Sequence, residues 1–250
     1  MTTACSTRIR PAYESGRLQP NDPRLFRPGN LKLTAHAIEA ARLTPGARIL
    51  DLGCGAGDTL RALLAGGFHV IGVDCAADPF PAHALDPCAG KRIVATAEAL
   101  PLPDQSFDAV LAECSFSLFR DQKSALQECA RVLVNGGTLI VSDLYARQPE
   151  AIAAVRALRG SCVAGMLVPA ELDVLLTAAG FTVRLWEDHS RSLRECTARY
   201  LFEHGSLDGL WNCSDASSDS IQCAMRAART GYFLLIAIRS RRNCCTGISQ

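Results

Sequence analysis

Short apolar runs alternate with helical stretches along much of the chain. The runs Arg48–Leu52, His69–Val73, Arg92–Ala95, Asp108–Ala112 and Thr138–Ser142 are β-prone and bounded by turn residues. Leu33, Ala37 and Ala40–Ala41 recur at helical spacing, so a helix is expected from about Leu31 to Leu43, stopped by Thr44-Pro45-Gly46. Between the runs lie Thr59–Ala65, a loop-rich piece around Pro79–Leu85, Leu100–Asp104 and the amphipathic Gln122–Leu133. Strands alternating with helices imply parallel pairing and a sheet covered on both faces.

The later pattern is less regular. Pro149–Leu158 and Pro169–Ala178 read as helices, the second closed by Gly180. Phe181–Trp186 and Tyr232–Arg239 read as two late strands. The 45 residues between them, 187–231, hold a predicted helix, Ser192–His204, and a polar, cysteine-bearing loop, Ser206–Ser220. A connection of that length points to a lid-like insertion. Residues 1–30, with four prolines and little periodicity, form an irregular lead-in. Residues 31–240 then make one domain, and 241–250 a solvated tail.

Composition narrows the classes. With 26 Lys+Arg against 25 Asp+Glu the net charge is +1, which disfavours a nucleic-acid partner. At 48% hydrophobic and 20% charged residues, wholesale disorder is excluded. Apolar runs such as Tyr232–Ile238 are too short for a membrane span. The first residues carry no apolar leader, so a cytoplasmic location is expected, with most of the 12 cysteines as thiols.

The strongest local signal is Ile49-Leu50-Asp51-Leu52-Gly53-Cys54-Gly55-Ala56-Gly57-Asp58. A strand runs into three glycines and a helix follows, the arrangement that lets a ligand approach the backbone. The third glycine comes one residue earlier than in the dinucleotide fingerprint, and Asp51 would repel a pyrophosphate. A cationic ligand suits this loop better than NAD. Asp74, at the tip of the next strand, can accept two ribose hydroxyls.

Together, Asp51–Gly57, Asp74, Ala97–Asp108 and Arg131–Leu139 resemble the class I S-adenosylmethionine-dependent methyltransferases, in the branch that includes menaquinone-biosynthesis and arsenite methyltransferases. The resemblance covers about residues 31–145. It implies an α/β, Rossmann-like, seven-stranded and mostly parallel sheet with helices on both faces and the last strand antiparallel. It assigns Asp51, Gly53, Gly55 and Gly57 to the methionine end of the cofactor and Asp74 to its ribose. Ala97, Glu98 and Leu100 fall on the adenine side, and Glu113 lines the methionine end and the substrate. Thr96 stands where the family often has an Asp for the adenine amino group, and a neutral acceptor binds more weakly.

A weaker resemblance to the arsenite enzymes covers Val141–Ala146, Gly160–Leu167 and Glu171–Phe181. It matches Cys162 to a ligand of trivalent arsenic, with Cys213 and Cys223 as candidates for a further ligand. A soft nucleophile needs no base for in-line attack on a sulfonium methyl, whereas an alcohol does. His189 is the best candidate base. Cys54 and Cys129 read as packing residues. No Cys-x-x-Cys pair occurs, so no metal site is read. Arg27-Pro28-Gly29 can fold over the site, with its guanidinium solvated or paired to a substrate or cofactor carboxylate. The expected function is methyl transfer to a small molecule, a thiol-bound metalloid first. The rivals are a quinone-type or other carbon or oxygen acceptor, and a cysteine-rich metal-binding or redox module on the same scaffold.

Overall fold

The structure, a computed structural model, describes residues 27–76, 91–158, 163–207, 210 and 218–240. Strands β1 (Arg48–Leu52), β2 (His69–Asp74), β3 (Lys91–Val94), β4 (Phe107–Glu113), β5 (Leu133–Tyr145), β6 (Phe181–Asp188) and β7 (Gly231–Arg239) form one sheet in the order β3-β2-β1-β4-β5-β7-β6. The first five pair in parallel, and β7 runs antiparallel to both β5 and β6. The α-helices include α1 (Asn30–Ala40), α2 (Asp58–Ala65), α3 (Gln122–Val132), α4 (Ile152–Arg156), α5 (Pro169–Ala178), α6 (Ser190–His204) and α7 (Ser218–Ala227), with 3-10 turns at Phe116–Leu118 and Pro149–Ala151.

Alternation along the strands feeds two cores. Leu50, Leu52, Val110, Leu139 and Val141 pack with Leu126 and Cys129 of α3 and Leu172 and Leu176 of α5. Ile49, Leu111 and Ile140 face the other way, against Leu33 and Ala37 of α1, Leu60 and Leu63 of α2, Leu193 of α6 and Ile221 of α7. Burial of both faces explains why the central strands read as continuous apolar runs.

The expected elements are found with shifts at their ends, and three differences have physical causes. The β5 strand is 13 residues long rather than the predicted Thr138–Ser142: it starts at Leu133, which pairs with Phe107 of β4, and β7 accompanies it on to Tyr145. Leu100–Asp104 holds no helix, as Pro101 and Pro103 lead one to expect. Within 187–231, α7 begins at Ser218, inside the predicted loop Ser206–Ser220. Its buried Ile221, Ala224 and Ala228 recur at helical spacing, a signal hidden by the polar residues around it. The lead-in before Arg27, Cys162, Cys213 and the tail lie outside the described residues.

Candidate active site

In this sheet the strand order reverses between β1 and β4, and the crevice beyond their carboxyl ends is where such folds bind ligands. Asp51 in β1 and Glu113 at the end of β4 flank it, and both are buried. Glu113 is the hub. It accepts hydrogen bonds from Thr34 Oγ1 of α1 at 2.8 Å and Thr59 Oγ1 of α2 at 2.9 Å, and pairs with Arg27 Nη1 at 2.9 Å. Arg27 also donates to both threonine hydroxyls. The expectation of a solvated Arg27, or one paired to a bound carboxylate, is corrected: the protein's own Glu113 is its partner. The guanidinium neutralises a carboxylate that could not be buried alone.

Asp51 is differently placed. Its Oδ2 is buried without a hydrogen-bond partner among the described residues. Burial, reinforced by the charge of Glu113 and opposed by Arg27, pushes its carboxyl up to about 7. An acidic oxygen buried without a donor is an acceptor prepared for a cationic or hydrogen-donating ligand.

The glycine loop borders the same crevice. Gly53 and Gly57 have φ near +81°, and the N–H groups of Gly53 and Cys54 both donate to the carbonyl of Val73. A Cβ on Gly53 would lie 2.4 Å from Cβ of Ser115, whose hydroxyl holds the carbonyl of Leu52. Gly53→Ala is therefore expected to cost about 2–4 kcal/mol in urea unfolding, through the left-handed backbone and the overlap. Among the described residues nothing stands where a Cβ on Gly55 would lie, so its backbone is approachable. Cys54 packs its sulfur over Gly72, consistent with a packing role.

Asp74 reaches back to this loop. Its Oδ2 accepts the N–H of Gly55 at 2.8 Å and its Oδ1 that of Ala76 at 3.0 Å. A carboxylate has about four lone-pair sites, so acceptor capacity remains for two hydroxyls. Ala97 and Leu100 are buried beside Val73. Glu128 and Arg131 of α3 pin their loop, by bonds to the Leu100 N–H and to the carbonyls of Leu100 and Leu102. Glu98 Oε1 accepts the N–H groups of Arg120 and Asp121 at the start of α3.

The floor continues under β5. Asp143 accepts from the backbone and hydroxyl of Ser117 and from the N–H of Leu144, while burial pushes it up to about 6. The hydroxyl of Tyr232 lies 2.9 Å from Cys114 Sγ and 3.2 Å from Ser142 Oγ. Sequence reasoning missed Thr34, Thr59, Asp143 and Tyr232 in this role. They come from separate elements and carry no local motif; only the polar Ser142-Asp143 pair inside an apolar strand was a signal. Of the proposed thiols, Cys223 sits exposed on α7, while Cys162 and Cys213 lie outside the described residues. His189 is bound to Glu187, at 2.8 Å.

Sheet order, switch-point crevice and glycine loop define a Rossmann-like methyltransferase fold. Residues 50–141 match the family model described as a methyltransferase domain. The chain is 33% identical over 177 residues to an arsenite methyltransferase of Aquipseudomonas alcaligenes, covering 63% of this chain and 51% of that protein. It is 37% identical over 121 residues to a demethylmenaquinone methyltransferase of Thermus thermophilus, covering 46% and 54%. The chain thus spans about half the length of these curated relatives. The crystal structure of the cyclase SpnF shares the fold, with a TM-score of 0.66 and 24% identity over 84% of this chain and 81% of that one.

Proposed function

We propose that the protein transfers a methyl group from S-adenosylmethionine to a small molecule. The observation that carries this reading is the unpartnered Oδ2 of Asp51, buried beside Glu113 in a glycine-lined crevice. Those residues fit the cofactor. Asp51 would meet its cationic methionine end, the open backbone at Gly55 would admit it closely, and Asp74 would accept its ribose hydroxyls. When bound, the cofactor supplies an electrophilic sulfonium methyl. The protein's part is to hold the acceptor in line near 3 Å and to keep water out. Asp74→Ala is expected to weaken cofactor binding roughly 10–100-fold in calorimetry, for two lost hydrogen bonds to a charged acceptor. Unchanged affinity in that variant would remove Asp74 from the ribose.

The acceptor we favour is a soft nucleophile such as thiol-bound trivalent arsenic, which attacks through a lone pair and needs no base. Similarity to the arsenite methyltransferase over 63% of the chain supports it, as does the supply of thiols at Cys162, Cys213 and Cys223. The demethylmenaquinone relative supports a second reading, a quinone-type acceptor. A labelled-methyl assay offering arsenite with thiol against a quinone acceptor distinguishes the two. Cys162→Ser should abolish arsenite methylation while leaving cofactor affinity intact; full activity in that variant would return Cys162 to a structural role.

A further inference from the structure

Beside the crevice a second polar cluster forms where α1 crosses the carboxyl end of β6. Glu187 lies near the end of β6 and His189 just beyond it, at the start of α6, and their side chains meet. Asp188 between them turns the other way, to Tyr145 and Arg147. From α1, His36 meets the pair. Its Nε2 lies 2.8 Å from Oε2 of Glu187, and Nε2 of His189 lies 2.8 Å from the same oxygen. One ligand atom from each of the three residues lies within 4.8 Å of the others.

We propose that His36, Glu187 and His189 form a binding site for a divalent first-row transition-metal ion of the zinc class. Two imidazole nitrogens with one carboxylate oxygen make a donor set that suits zinc, iron(II), nickel or copper better than magnesium or calcium. Metal–ligand bonds of roughly 2.0–2.2 Å place tetrahedral donors about 3.3 Å apart. The two N···O separations must therefore widen by about half an ångström as an ion replaces the N–H bonds. The side chains can make that adjustment while their backbones stay fixed. Glu187 is paired to Leu234 in the β6–β7 ladder, the N–H of His189 donates to the carbonyl of Tyr232 at 2.7 Å, and His36 stands inside α1. The side chains are 45%, 32% and 23% exposed for His36, Glu187 and His189, so solvent can reach the ion and further coordination positions stay open. Such an open three-ligand arrangement is that of a catalytic or substrate-holding ion rather than a closed structural one.

Position gives the site its interest. β6 and β5 both run antiparallel to β7, so the carboxyl end of β6 lies at the same edge of the sheet as those of β5 and β4. The ion would thus join β6 to α1, the helix whose Thr34 bonds Glu113. With 151 residues separating His36 from Glu187, sequence spacing gives no hint of it. The proposal does not depend on the cofactor reading.

The test is cobalt(II) titration of chelator-treated full-length protein, followed by visible absorption, with zinc competition and thermal melting in parallel. Cobalt at a nitrogen–oxygen site gives d–d bands without thiolate charge transfer, which separates this site from the cysteines. Wild type is expected to bind with such bands and to melt higher with zinc. His36→Ala and His189→Ala should each weaken that binding at least about 100-fold, since even loss of an outer-shell partner costs 10–100-fold. Glu187→Gln, a near-isosteric change that preserves the fold, should weaken it too. His69→Ala, on exposed β2 surface, should not. Binding undiminished in the two histidine variants, a spectrum made only of thiolate charge transfer, or no binding by wild type overturns the proposal.

Discussion

Glu113→Gln is expected to lower stability by about 3 kcal/mol, read as a fall in the urea midpoint at unchanged slope. The carboxylate sits among Arg27, Thr34 and Thr59, and its side chain is only 4% exposed. Removing one partner from a buried pair leaves the other charge without compensation, and that costs roughly 3–5 kcal/mol. The lower end applies here, because the Gln carbonyl still accepts one threonine hydroxyl and the repulsion on Asp51 is relieved. Arg27→Met combined with Glu113→Gln should recover part of the loss, since two apolar or neutral groups need no mutual charge. A single variant as stable as wild type would mean that Arg27 is not held by this pair in solution.

Asp51→Asn should act in the opposite direction on stability and against ligand binding. In the folded protein the Asp51 carboxyl is raised from 3.8 to about 7, with burial the main cause. Between those values the folded state holds the proton more tightly than the unfolded chain, so wild-type stability falls as pH rises from about 4 to 7. Above that range the whole cost of a buried anion is carried. The Asn variant escapes it and is expected to gain on the order of 4 kcal/mol at pH 8, and almost nothing at pH 4. Cofactor affinity should move the other way. In wild type it should rise with pH towards 7, as the carboxylate ionises to meet a cationic ligand. In Asp51→Asn it should be weaker and flat across that range. A variant that binds as tightly as wild type, with the same pH profile, would place the cationic end of the cofactor elsewhere. Stability given up for a ligand is a signature of a binding site rather than of a core.

The sequence by itself determined the sheet. Period-two and continuous apolar runs place β1, β2 and β4 almost to the residue, and the glycines at 53, 55 and 57 mark the turn. Such features are local: they depend on backbone sterics and on which faces must be buried, and both act over a few neighbouring residues. The Asp51 and Asp74 carboxylates were legible for the same reason, since each stands at the tip of a recognisable strand.

Only the tertiary structure decided what those carboxylates face. Arg27, Thr34, Thr59 and Glu113 come from a loop, two helices and a strand, and they converge because α1 and α2 pack on the same face of the sheet. The contrast between two neighbouring acids, one neutralised by Arg27 and one left with an unpartnered oxygen, arises from that convergence. His36 likewise reads as an ordinary polar position until α1 is laid across the end of β6. Charge compensation and ligand geometry depend on distances of a few ångströms between residues far apart in the chain, and no local pattern encodes them.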